Sequence, residues 1–247
     1  MACSVSTFLL EIGTEELPAD FARLALPQLE QMVRSDLAEQ RLGHGLIHCT
    51  STPRRLAVLV EDLPAAAADL EEDRKGPPAG QAFKDGAPTQ AAIGFAKRCG
   101  IEPAALEVRD TPKGPFVFAR VLEQGRSSVE VLAEHIPQWI QALQGRRFMR
   151  WGEGESRFSR PVRWLVALLD AAVIPVTLQG SDPLVQAGNV SRGHRLLADS
   201  VVIPSAQAYA ESLAAVGVDV QRSSRAAAIR TAITQAAGAL QGRPDLP

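Results

Sequence analysis

Residues 144–164, QGRRFMRWGEGESRFSRPVRW, set six arginines (Arg146, Arg147, Arg150, Arg157, Arg160 and Arg163) against two glutamates, Glu153 and Glu155. The whole chain carries a formal net charge of −2, so this stretch stands apart from its surroundings. Phe148, Trp151, Phe158 and Trp164 are interleaved with the cations. Guanidinium forks alternating with aromatic faces suit a phosphate backbone with unstacked bases, combining salt-dependent attraction with stacking of ~1–3 kcal/mol per base. The same pattern also arises when the aromatics are core and the arginines pair with acids of a neighbouring domain or subunit. Arg192-Gly193-His194-Arg195 is a second compact cationic group, whose glycine allows close backbone approach, and Arg54-Arg55 after Pro53 is a third. All eleven of Arg54, Arg55, Arg146, Arg147, Arg150, Arg157, Arg160, Arg163, Arg192, His194 and Arg195 are candidates for contact with RNA or a partner chain.

Catalytic signatures are missing. There is no phosphate-binding Walker loop, no dinucleotide-binding glycine motif after a strand, no H-E-x-x-H and no G-x-S-x-G. Glu15-Glu16 precedes a helix, where acids ordinarily complement the helix dipole. His44 and His48 are spaced i, i+4, but no carboxylate nearby completes a metal site. The three cysteines are an odd number, widely spaced and without C-x-x-C, so neither a disulfide framework nor a zinc knuckle is expected. No catalytic residue, metal or cofactor is therefore assigned to the chain itself.

At 247 residues, 46% hydrophobic and 22% charged, the sequence has the balance of a globular protein able to bury a real core. Its cations are overwhelmingly arginine, which favours bidentate phosphate and carboxylate contacts but also follows from an arginine-rich proteome. The N-terminus lacks a basic, then apolar, signal sequence, and the longest apolar run, 164–169, is far short of the ~20 residues of a membrane helix. A cytoplasmic protein, off the membrane, is expected.

The elements that must hold these residues read as an α+β chain, with mostly antiparallel sheets and packed helices in two subdomains. Residues 7–12 are an apolar strand ended by Gly13. A helix follows Pro18, with Phe21, Leu24, Ala25, Leu29, Met32, Val33 and Leu37 recurring at three and four. Two strands lie in 46–62, a helix at 89–99 and a strand at 116–122. Ser127 and Glu130 form a capping box ahead of a helical run that Pro137 should kink or split. Runs 162–169 and 173–178 read as a buried hairpin. A strand at 200–203 and helices from Ser205 and over 222–241 complete the chain. A boundary near 145 separates an N-terminal domain, 1–145, with an exposed linker or flap at 64–80, from a second unit, 146–247, incomplete at its C-terminus.

The strings FLLEIGTEELPA (8–19), TPRRLAV (52–58), KGPP (75–78), AIGFAKRCGI (92–101), MRWG (149–152), FSRPVRWLVALLD (158–170) and GNVSRGHR (188–195) occur in this order. They resemble the N-terminal part of the beta-subunit family of bacterial glycyl-tRNA synthetase, the type built from separate alpha and beta chains. The resemblance covers nearly the whole chain and is weakest at 64–74 and after 220. It implies an α2β2 enzyme that joins glycine to tRNA(Gly) with ATP and Mg2+, the glycine and ATP sites belonging to the alpha subunit. The beta chain would contribute tRNA binding. The family's beta chain continues into an HD-type domain and an anticodon-binding domain that have no counterpart here, which implies a fragment or a truncated product. The reading that follows is a non-catalytic, tRNA-handling portion of the ligase. Its alternatives are a module that mainly docks the alpha chain, or a free-standing RNA-binding protein.

Overall fold

A computed structural model of the chain describes residues 5–84 and 86–245. Cys3 with the rest of residues 1–4, Asp85, Leu246 and Pro247 lie outside the described residues. In chain order the elements begin with β1 (Val5–Thr14), α1 (Phe21–Glu39), β2 (Ile47–Thr52), β3 (Arg55–Pro64) and β4 (Leu70–Pro78). Then come α2 (Ala79–Ala82), β5 (Phe83–Lys84), β6 (Ala87–Pro88), α3 (Gln90–Cys99), β7 (Glu107–Thr111) and β8 (Gly114–Glu123). They are followed by α4 (Ser128–Ala142), β9 (Val162–Leu169), β10 (Ala172–Val173), β11 (Thr177–Leu178) and β12 (Val185–Gly188). The last are β13 (Val190–Ser191), β14 (Val201–Val202), α5 (Tyr209–Ala215) and α6 (Arg222–Ala239). This is the expected α+β class: among the described residues the pairings are antiparallel except for β9 with β12.

Two compact units divide the chain, Met1–Ala66 with Arg126–Pro247, and Ala67–Gly125. The expected boundary near 145 is therefore not where the molecule divides. The reason is strand pairing: β1 sits between β3 and β9 in a sheet ordered β11-β12-β9-β1-β3-β2, so residues on both sides of 145 share one sheet. The expected linker at 64–80 is also largely a strand, because β4 pairs along β8 from Leu70↔Glu123 to Lys75↔Phe118. Residues 70–75 are exposed, as their charges require, and they occupy the edge of a three-stranded sheet ordered β4-β8-β7. One side of that small sheet packs Val117 and Ala119 against Ala92, Phe95, Ala96 and Cys99 of α3.

In the larger unit β1 is buried from Phe8 to Thr14, which explains its continuous apolar run: both faces are covered. The face bearing Phe8 meets Trp139 of α4 with ring centroids 6.2 Å apart. Helix α1 buries Phe21, Ala25, Leu29, Val33 and Leu37, a stripe repeating every four residues. The opposite face joins Leu9, Ala57, Trp164, Val166 and Leu168 to Ile203, Ala206, Tyr209 and Leu213.

The capping box forms as expected, Glu130 N donating to Ser127 Oγ at 3.2 Å and Ser127 N to Glu130 Oε2 at 3.3 Å. Pro137 does not split α4, which runs on to Ala142 with Val131, Leu132, Ile136, Trp139 and Ile140 buried. Packing along both halves outweighs the one backbone bond that the proline removes. The expected 162–178 hairpin is only partly formed. β10 pairs back on β9 at Ala172↔Leu169, but β11 departs to pair with β12. No described helix is long and apolar enough to cross a membrane.

Candidate nucleic-acid interface

The second face of the central sheet builds the site row by row. Gly13 lies between Arg55 on β3 and Trp164 on β9. A Cβ on Gly13 would fall 1.9 Å from Trp164 Cε2, so the glycine lets the indole lie flat over β1. Arg55 reaches this indole from the other side, its guanidinium carbon 5.7 Å from the ring centroid. In the next row Glu11 stands between Ala57 and Val166, small enough neighbours to leave its carboxylate room.

Glu11 is completely buried and gathers four donors from four other elements. Trp164 Nε1 and Ser191 Oγ donate to Oε1, the latter at 2.5 Å. Tyr209 Oη donates to Oε2 at 2.5 Å, and Arg55 Nη1 lies 3.4 Å from the same oxygen. A buried carboxylate is tolerable only when so satisfied. Burial and the Glu11 carboxylate push the Tyr209 hydroxyl well above its ordinary value, keeping it a protonated donor.

Arg55 is thereby removed from the candidate surface. It is 3% exposed, and its remaining contacts are internal, Nη1 to Ser191 Oγ at 3.4 Å and Nη2 to the Arg192 carbonyl at 2.7 Å. The second of these fixes the start of the 192–195 loop. Gly193 is needed there because a Cβ would stand 2.6 Å from the Ala198 carbonyl. His194 is exposed but serves the loop: its Nδ1 accepts from Leu196 N at 3.3 Å and its backbone N donates to Val216 at 2.9 Å.

The loop between β1 and α1 collects cations on both sides. Thr14 N donates to the Arg54 carbonyl at 2.8 Å and Glu15 N to the Pro161 carbonyl at 3.1 Å, which ties the loop to its neighbours. Glu15 pairs with Arg163 at 2.8 Å, Glu16 with Arg195, and Asp20 with Arg146 at 3.7 Å. On one side is a cleft of about 540 Å3 lined by Glu15, Glu16, Arg54, Arg192 and Arg195, among others. On the other is a hollow of about 310 Å3 lined by Asp20, Phe21, Arg146, Arg147 and Arg160. Arg150 and Arg157 line neither. They belong to a loop closed by the Met149↔Phe158 bridge, where Arg150 pairs with Glu155 at 3.1 Å.

Among the described residues, Arg54, Arg147, Arg157, Arg160 and Arg192 have no carboxylate within ion-pair distance. Arg160 Nη1 donates only to the Ser159 carbonyl, at 2.7 Å. The aromatics are a different matter. Phe158 is fully buried and Trp151 and Trp164 are each 7% exposed. Phe148 packs on Phe21 and Phe158 at 6.0 and 5.9 Å. They are core, not a stacking platform, and the arginines are what face outward. Sequence reading passed over Glu11, although a lone acid inside the apolar run FLLEIG is the signal of a buried, partnered carboxylate. Ser191 and Tyr209 carry no such signal.

His44 and His48 turn to local partners, Gly45 O at 2.8 Å and Glu61 at 3.3 Å, and no metal-binding cluster occurs among the described residues.

The chain resembles known proteins over nearly all its length. It is 46% identical over 244 residues to the glycine–tRNA ligase beta subunit of a Picosynechococcus species, covering 98% of this chain and 34% of that protein. The identity is again 46% to the beta subunits of Gloeothece citriformis, over 98% of this chain and 34% of the relative, and of a Synechocystis species, over 96% and 33%. The chain thus spans about a third of the length of the relatives it matches. Residues 8–247 match the family model described as glycyl-tRNA synthetase beta subunit, and that match includes the buried Glu11 hub, the β1–α1 loop and every arginine around it. By sequence over all but its first residues, this chain belongs to the glycyl-tRNA synthetase beta subunit family.

Proposed function

We propose that this chain is a non-catalytic, tRNA-handling portion of a glycine–tRNA ligase beta subunit, supporting ATP-dependent attachment of glycine to tRNA(Gly). The catalytic chemistry, with ATP and Mg2+, belongs on this reading to the alpha subunit of an α2β2 assembly in the cytoplasm. The observation that carries it is the set of arginines without acidic partners on a chain of net charge −2. Guanidinium groups held at a surface without local counter-charge favour a polyanion.

The test mixes the purified chain with tRNA(Gly), with the alpha subunit, and with both. Salt-dependent tRNA binding and no glycine-dependent AMP formation by the chain alone are expected. AMP formation by the chain alone would falsify the non-catalytic assignment. Binding to the alpha subunit with no affinity for tRNA would transfer the arginine surface to subunit docking. Affinity for tRNA with none for the alpha subunit would favour a free-standing RNA-binding protein.

A further inference from the structure

The cleft beside Trp164 contains two arginines in an unusual state. The guanidinium carbons of Arg54 and Arg192 lie 5.8 and 5.6 Å from the Trp164 ring centroid, and both side chains line the cleft. Neither has a carboxylate within ion-pair distance among the described residues, and the Nε of Arg54 is buried without a hydrogen-bond partner. Such an orphan donor is costly, and an acceptor oxygen in the cleft would relieve it; the Nε of Arg55 is likewise unpartnered. The neighbouring acids do not supply it. Glu15 is engaged by Arg163 and Glu16 by Arg195. Asp199 also lines the cleft but forms no ion pair with the arginines.

We infer that this cleft seats one phosphate group, gripped by the forks of Arg54 and Arg192 beside the Trp164 indole. Stacking on an aromatic ring occupies the face of a guanidinium and leaves its N–H edge free, and that edge matches two phosphate oxygens. The groups are also held before any ligand arrives. Gly13 seats the indole, Glu11 fixes Trp164 and Arg55, and Arg55 in turn holds the Arg192 carbonyl at 2.7 Å. Arg54 and Arg192 each flank a strand end, β3 and β13, and a clamp whose backbone is tied down in this way loses less freedom on binding. The source of the phosphate, an RNA phosphodiester, rests on the tRNA-handling reading, whereas the chemistry of the clamp does not.

The experiment labels the three tryptophans of the full chain with 5-fluorotryptophan and assigns the Trp164 19F resonance with Trp164→Phe. The chain is titrated separately with inorganic phosphate and with tRNA. A Trp164 shift in either titration that is lost in the Arg54→Gln, Arg192→Gln double variant supports the clamp, and unmoved Trp139 and Trp151 resonances show that this variant is folded. With tRNA, the double variant, which gives up one phosphate contact, should also flatten the slope of log affinity against log salt by about 0.7–0.9. If phosphate moves Trp164 but tRNA does not bind, the clamp stands and the tRNA reading falls. If tRNA binds both forms equally and Trp164 stays still, the clamp is wrong and the tRNA reading survives. Silence in both titrations overturns the clamp outright.

Discussion

Glu11 accepts hydrogen bonds that tie β9, β13 and α5 to β1, while its partner Arg55 depends on it for charge balance inside the sheet. Removing the carboxylate strands a buried guanidinium, so Glu11→Ala should cost about 3–5 kcal/mol in urea unfolding. Tyr209→Phe, which deletes one donor and leaves the ring, should cost only about 1–2 kcal/mol. Among the surface arginines, partnering sets the expected order. Arg147→Gln and Arg157→Gln should each flatten the salt slope of tRNA binding by about 0.7–0.9, whereas Arg150→Gln, already opposed by Glu155 at 3.1 Å, should change it less. Affinity measured across a salt series separates these cases. Cys49 offers a control for folding: burial, reinforced by Glu30, pushes its thiol up to about 12. It should resist alkylation at neutral pH in the folded chain and react once urea exposes it.

At the level of elements, the β9–β10 turn carries a pH-sensitive tie. Asp170 takes φ 51° at the turn, its Oδ1 accepts from Thr7 N at 2.8 Å, and its backbone carbonyl accepts from Ala206 N at 2.8 Å. Burial acts to raise its pKa, but the bonds from Thr7, Ser6 and Gln207 outweigh it and hold the carboxyl below the usual range. A depressed folded value contributes stability above the unfolded value of about 3.9 and loses it as pH falls through the folded one. Asp170→Asn, which tolerates the same backbone, should therefore cost about 1 kcal/mol at pH 7, after allowance for its partial exposure. The gap between the two proteins should close as stability is followed down through pH 4 and below. The central row makes a second prediction. Gly13→Ala would drive a methyl into the Trp164 ring, so it should destabilise by about 1–3 kcal/mol and disturb the Trp164 fluorescence.

For the whole molecule, the larger unit is discontinuous in sequence but closed in space. The chain leaves it at Ala66 and returns at Arg126, and Ala66 bridges Ser127 while Ser128 N donates to the Ala65 carbonyl at 2.9 Å. Exit and return are therefore adjacent, the arrangement that tolerates excision of an inserted unit. Replacing residues 67–125 with a short Gly-Ser linker should leave a cooperative unfolding transition and intact tRNA binding by the arginine surface. A chain that fails to fold after this excision would show that the larger unit depends on the smaller.

Local sequence by itself determined what depends on near neighbours. The apolar run of β1, the apolar face of α1 and the Ser127–Glu130 capping box are short-range patterns. The cap forms as expected, and the strand runs on through Gly13 to Thr14. Helix α1 buries its expected face at Phe21, Ala25, Leu29, Val33 and Leu37 while leaving Leu24 exposed. The motif order carried the family. The division of the molecule was not legible, because it follows from β1 pairing with β9, and a pairing between distant segments leaves no mark in either one. The charge surface was not legible for the same reason. Whether an arginine is free depends on acids that folding brings to it, such as Glu15, which is 148 residues from Arg163 and 2.8 Å away in space. Only the tertiary structure could sort Arg55, neutralised inside the sheet, from Arg54, its neighbour in sequence. Both guanidinium carbons lie beside the Trp164 ring, at 5.8 and 5.7 Å, and what separates them is supplied from elsewhere in the chain: the Glu11 carboxylate and the Arg192 carbonyl reach Arg55 alone.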